Sequence, residues 1–152
     1  MHGQTAVVEH VLERNSRLAR SSDSRKSSPL HIAADEGDLE ITKRLVLEAP
    51  EVCWWRDDQG MNPIHVSAVK GRAVVLEELL QPDMSPARET VLGGQTVLHL
   101  CVKHCRIEAL KVLVEKLGTW FLQRMVMGRH SCIWLLDPIN LRSYDTWWKV
   151  TK

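Results

Sequence analysis

Long apolar runs are missing from this chain of 152 residues. None approaches the ~20 residues that a membrane-spanning helix needs, so no direct span is expected. Charge of one sign is missing too: 20 Lys and Arg stand against 19 Asp and Glu, a net charge of +1. That balance leaves no basic stripe to release counterions from nucleic acid, so nucleic acid is excluded as a partner. Cysteine is scarce. Cys53, Cys101, Cys105 and Cys132 lack the dense, regular spacing of a disulfide framework, which points to a reducing, intracellular setting. The opening Met1-His2-Gly3-Gln4 lacks the charged-then-apolar plan of a secretory signal. Catalytic signatures are absent as well. There is no Gly-x-Ser-x-Gly elbow and no Gly-x-x-x-x-Gly-Lys phosphate loop. The paired carboxylates Asp57-Asp58 and Glu77-Glu78 read as an exposed connection and a helix surface, without the pocket that general acid–base work requires. No enzyme activity and no cofactor are expected.

What is present is a repeat. Pro29-Leu30-His31, Pro63-Ile64-His65 and Val97-Leu98-His99 recur at equal intervals along the chain. A fixed period of this length predicts an array of stacked units rather than one globular core. Each unit opens on a helix-capping residue, Ser28, Asn62 or Thr96. Pro29 and Pro63 suit the first helical position, where a missing N–H costs nothing. Leu30, Ala33 and Ala34 then share one narrow face, as do Ile64, Ser67 and Ala68. Gly37 and Gly71 stand where the first helix must end. A second helix follows in each unit, marked by Ile41, Leu45 and Val46, by Val75, Leu76 and Leu79, and by Ile107, Leu110 and Val114. Pro50 and Pro82 terminate two of these helices. Turn residues, Asp57-Asp58-Gln59-Gly60 and Gly93-Gly94-Gln95, separate the units.

With these residues in register, the chain resembles the ankyrin repeat family over roughly residues 3–117. The fold class expected is therefore all-α, a solenoid of helix-turn-helix units joined by fingers. The wording of 94–104 and of Asn62-Pro63-Ile64-His65 is similar to plant ankyrin proteins whose array precedes a membrane-spanning domain. Several such proteins act in defence and stress signalling. The resemblance implies a binding module for another protein, in the cytoplasm or at the inner face of the plasma membrane, acting as a signalling or defence adaptor. The alternative is a truncated fragment of a larger membrane-associated ankyrin protein, without independent function.

The domain plan is a partial first repeat and finger at 1–27, repeats at 28–61 and 62–95, repeat helices at 96–118, and a divergent tail at 119–152. Gly3 stands as far before His31 as Gly37 does before His65. Val7, Val8, Val11 and Leu12 then form the surviving second helix of a unit met midway, and 15–27 a polar finger. A fourth opening is due near 133, yet Arg129-His130-Ser131-Cys132-Ile133-Trp134-Leu135 has no cap, no proline and no Leu-His pair. Read two bases later, residues 124–135 can spell Asp-Gly-x-Gly-Lys-Thr-Leu-Leu-His-Leu-Ala, in phase with 94–100 and with a forced Gly-x-Gly. The tail is expected to be a frameshifted fourth unit. The last intact unit then exposes leucine and valine side chains, which leaves stability marginal and aggregation a hazard.

His31, His65 and His99 lie in separate units and are expected to be structural, bonding the backbone of the adjacent finger rather than converging on a metal. Cys101, His104 and Cys105 share a helix side, but no second pair at ligand spacing completes a zinc set, so no metal site is expected. Contact residues follow from the family's geometry, in which finger tips and first-helix faces line the binding surface. Trp55 and Arg56 stand beside a finger and are the residue types that anchor interfaces. Adjacent tryptophans in extended chain point opposite ways, so one of Trp54 and Trp55 packs. Lys70 and Lys103 end first helices, and Arg88 lies by the next finger.

Overall fold

The computed structural model describes residues 7, 10, 11, 14–91 and 93–118. The expectations for Gly3, Val8, Leu12 and the tail from 119 lie outside the described residues. Helices run in the order α1 Pro29–Glu36, α2 Leu39–Glu48, α3 Pro63–Lys70, α4 Ala73–Leu80, α5 Val97–Lys103 and α6 Ile107–Leu117. The first helices stack as a row, α1 on α3 on α5, and the second helices as a parallel row, α2 on α4 on α6. Among the described residues there is no strand, only an isolated bridge between Thr90 and Thr96.

Local chemistry starts and stops each helix. The Asn62 side chain accepts the His65 backbone N–H at 3.0 Å, and Asp38 accepts the Ile41 N–H at 3.1 Å. Pro29 and Pro63 take the first helical position. Between the rows, small and large side chains, all apolar but Ser67, repeat at the period of the units. Leu30, Ile64 and Leu98 are buried, as are Ala33, Ser67 and Cys101, and Ala34, Ala68 and Val102. Leu45, Leu79 and Leu113 do the same for the second helices. Burial of one such leucine is worth roughly 1.5–3 kcal/mol. The core is thus a line of equivalent layers, each stabilised by its neighbours.

Two features depart from the sequence reading. Residues 15–27 are not all finger: Ser16–Arg20 forms a 3-10 turn, repeated at Pro50–Trp54 and Ser85–Arg88. Each turn buries one small residue, Ala19, Cys53 or Ala87, at the period of the units. Cys53 is therefore a packing residue in a series otherwise made by alanine. A single small side chain carries too little hydropathy to announce such a turn.

The second feature is an arginine clasp between units. Arg72 Nε donates to the Asp35 carbonyl at 3.1 Å, and Arg106 Nε to the Val69 carbonyl at 2.9 Å. Their stems cross Gly37 and Gly71, at φ +84° and +73°. A Cβ on Gly71 would meet Arg106 Cδ at 2.8 Å. Gly71→Ala is expected to cost about 1–3 kcal/mol from backbone strain and a displaced arginine, read as a lower urea midpoint at unchanged slope. In the third unit Cys105 takes this place at φ +54°. Cys105→Gly removes left-handed strain and is expected to add about 1 kcal/mol in the same assay; a loss of stability would contradict the assignment.

Candidate protein-binding surface

The histidines bind each first helix to the finger that follows it. His65 is fully buried, and its Nδ1 lies 3.3 Å from the Asn62 backbone nitrogen. That nitrogen can only donate, so Nδ1 must be the accepting, unprotonated atom. Nε2 therefore carries the proton and donates to the Glu89 carbonyl at 3.0 Å, across to the next finger. His31 repeats the pattern: the Ser28 N–H donates to Nδ1 at 3.1 Å, and Nε2 donates to the Met61 carbonyl at 3.1 Å. In unit three the Thr96 N–H donates to His99 Nδ1 at 3.2 Å. Burial pushes the His65 pKa down to about 4, and lowers that of His31 for the same reason. Both rings are neutral at pH 7. The imidazole serves in the capping box where glutamate usually stands, with a second nitrogen left to reach the next unit.

The fingers are tight turns. Asp57 Oδ1 accepts the backbone N–H groups of Gln59 and Met61 at 2.9 and 2.8 Å. Asp23 does the same for Arg25 and Ser27, both at 2.8 Å. Val91 replaces this aspartate in the third finger, where the Val91 N–H donates to the Gln95 carbonyl at 2.9 Å. Neighbouring fingers touch: the Asp58 N–H donates to the Arg25 carbonyl at 2.9 Å. Of the acidic pair, Asp57 therefore holds a turn.

The expected contact residues are scattered among several tasks. Trp55 is half-buried, and the exposed member of the pair is Trp54, 44% accessible. Arg56 bonds the Glu89 carboxylate and, at 2.8 Å, the Thr90 carbonyl, so it joins two fingers. Lys70 Nζ pairs with Asp35 Oδ1 at 2.6 Å, one unit back. Both side chains remain partly exposed, and such pairs contribute about 0–1 kcal/mol. Arg88 is exposed at the end of the Ser85–Arg88 turn, and Lys103 at the end of α5. Sequence reasoning missed a shallow groove of about 240 Å³ lined by Pro50, Glu51, Cys53, Trp54, Pro82 and Asp83. Its signal was the proline after each of the first two second helices, Pro50 and Pro82, read above only as a stop. Ile32 also stands exposed on α1, whereas its equivalents Val66 and Leu100 are buried.

The buried titratable groups are held uncharged. Burial pushes the Cys101 thiol up to about 12 and the Cys53 thiol up to about 11. Cys101 points into the core while His104 and Cys105 are exposed, so the three do not converge. Among the described residues no His, Cys, Asp or Glu group is arranged to hold a metal, and no helix is long and apolar enough to cross a membrane.

Paired helices in two stacked rows, with fingers that bond one another, define a solenoid scaffold. The profile described as Ankyrin repeats (3 copies) matches residues 1–90 and 30–122, and the chain belongs to the ankyrin repeat family. Ankyrin repeats are protein-interaction modules. The chain is 28% identical over 79 residues to Protein ACCELERATED CELL DEATH 6 of Arabidopsis thaliana, covering 52% of this chain and 12% of that protein. It is 29% identical over 113 residues to the probable E3 ubiquitin-protein ligase XBOS32 of Oryza sativa subsp. japonica, covering 74% and 23%. It is 28% identical over 93 residues to the tyrosine-protein kinase Shark of Drosophila melanogaster, covering 61% and 10%. The chain thus spans less than a quarter of the length of each of these relatives.

Proposed function

We propose that this chain is a non-enzymatic adaptor that presents a rigid surface to another protein, in the cytoplasm, in signalling of the defence type. The observation that carries the reading is the contrast between inside and outside. The buried histidines are consumed in joining units, while an exposed tryptophan flanks a proline-lined groove on the outside. Tryptophan beside arginine is the composition of an energetic anchor. We place the contact surface on Trp54 and Trp55, with Arg56, Lys70, Arg88 and Lys103 around it; of these, Arg56 and Lys70 act through the fingers and helix ends they hold in place. A likeness to a protein named for accelerated cell death supports the defence assignment, and a location at the inner face of the plasma membrane is compatible with it.

The test is affinity capture with the full chain from plant extract, followed by titration of the captured protein. Trp54→Ala is expected to weaken binding at least about 10-fold, since anchors cost about 2 kcal/mol or more. Its thermal midpoint should match that of the unaltered chain. Equal binding by this variant and by Lys103→Ala would remove the surface proposed here.

A further inference from the structure

The interface between units is built twice with the same positions. On the second helices, which pack on the second helix of the next unit, Thr42 and Val46 are buried, and at the equivalent positions Leu76 and Leu80 likewise, at 0% and 3% exposure. On the first helices, Ser28 and Asn62 are buried at the equivalent place. Asn62 Nδ2 also reaches forward to the Pro86 carbonyl at 2.9 Å, and Arg106 reaches back to Val69. In the last unit the same positions are Thr96, Leu110 and Val114, and all three are only half-buried. Ile107 beside them is exposed. Two built copies of one interface are followed by a third donor face without matching cover among the described residues.

We propose that this face is shaped for a fourth ankyrin unit whose codons lie in the second alternative reading frame of residues 125–135. The proposal goes beyond the binding role above and stands independently of it. Genetic-code arithmetic on the tail carries it. The last base of Met125 with the first two of Val126 spells glycine, and Met127 with Gly128 spells glycine again, whatever codons are used. Ser131 with Cys132 allows only Leu, Met or Val; Cys132 with Ile133 only His or Tyr; Ile133 with Trp134 only Leu or Met; Trp134 with Leu135 only Ala or Val. The string Leu-His-Leu-Ala is thus available at places 132–135, one full period after Leu98-His99-Leu100-Cys101. An Arg124 codon ending in G would add an aspartate at place 125, the position held by Asp23 and Asp57, which close their fingers by accepting two N–H groups each. The fit extends to the clasp. In an open frame the residue encoded at place 140 is Lys or Gln and cannot be arginine. Arg72 and Arg106 need a glycine beneath them, and Cys105 is not one.

Two measurements test this. The first is the transcript sequence from codon 119 onward. An open second frame that reads Gly-x-Gly, then Leu-His-Leu-Ala, is expected; a stop codon at or before place 140, or Tyr and Val in place of His and Ala, overturns the proposal. The second compares the chain as it stands with one in which that frame is restored after residue 118. The restored chain is expected to melt at least about 5 °C higher. Leu110→Asp should abolish that gain, because it puts a charge into the new interface. An unchanged or lower melting temperature on restoration overturns the proposal, as does a cover supplied instead by a second copy of the present chain, seen as a concentration-dependent dimer that Leu110→Asp dissociates.

Discussion

His65→Ala is expected to destabilise the array by about 3–5 kcal/mol, the largest effect of any single change described for this protein. The side chain is fully buried and holds the backbone N–H of its own helix cap and a carbonyl of the finger that follows. Truncation leaves the Asn62 N–H without its acceptor and the Glu89 carbonyl without its donor. Each orphaned buried group costs about 1–3 kcal/mol, and the vacated ring volume adds a cavity. The loss falls on a repeat interface, where an array of few units draws most of its stability. Urea unfolding followed by circular dichroism checks it. Gln is the instructive comparison, since its amide can still donate to Glu89. A His65→Ala midpoint within error of the unaltered chain would mean that the two bonds contribute nothing net.

Acidification is expected to unfold the same joint without a mutation. His65 is neutral in the fold, with a pKa of about 4, against an ordinary value of 6.5. Below pH 6.5 the unfolded chain takes up a proton that the folded chain refuses, so stability falls as pH falls. A pKa difference of one corresponds to about 1.4 kcal/mol. The loss is therefore about 2 kcal/mol at pH 5, rising to about 3 kcal/mol near pH 4, and absent well above pH 6.5. His31 adds a loss of the same sign. The physical cause is shared: a second ring proton would point Nδ1–H at the N–H it now accepts from. Urea titrations at pH 7 and pH 5 measure the total, and the His65 ring resonances assign it. A His65 ring that titrates near 6.5 in the folded protein would defeat this account.

How far the sequence could be read depends on which interactions repeat along it. The capping residues Ser28 and Asn62, the prolines after them and the glycines at 37 and 71 act on their own helix within a few residues. Their spacing therefore shows directly in the chain, and the helices followed. The 3-10 turns were not legible, because their mark is one small buried residue, Ala19, Cys53 or Ala87. Nor were the arginine clasps. Nothing in the spacing of Arg72 and Arg106 announced that each bonds a carbonyl of the preceding unit. Arg56 and Lys70 looked available for a partner, and each meets a carboxylate of a neighbouring unit. Which of Trp54 and Trp55 packs was left open, and the exposed one is Trp54, since the direction of a side chain after a 3-10 turn depends on that turn.

By itself, the order of residues determined the period, the helices and the ankyrin class, because caps, breakers and apolar faces are short-range and recur once in every unit. Only the tertiary structure decided which polar side chains belong to the joints and which to the surface. Those partners lie 24 and 37 residues away along the chain, as His65 does from Glu89 and Arg106 from Val69, and only the tertiary fold brings them within bonding distance.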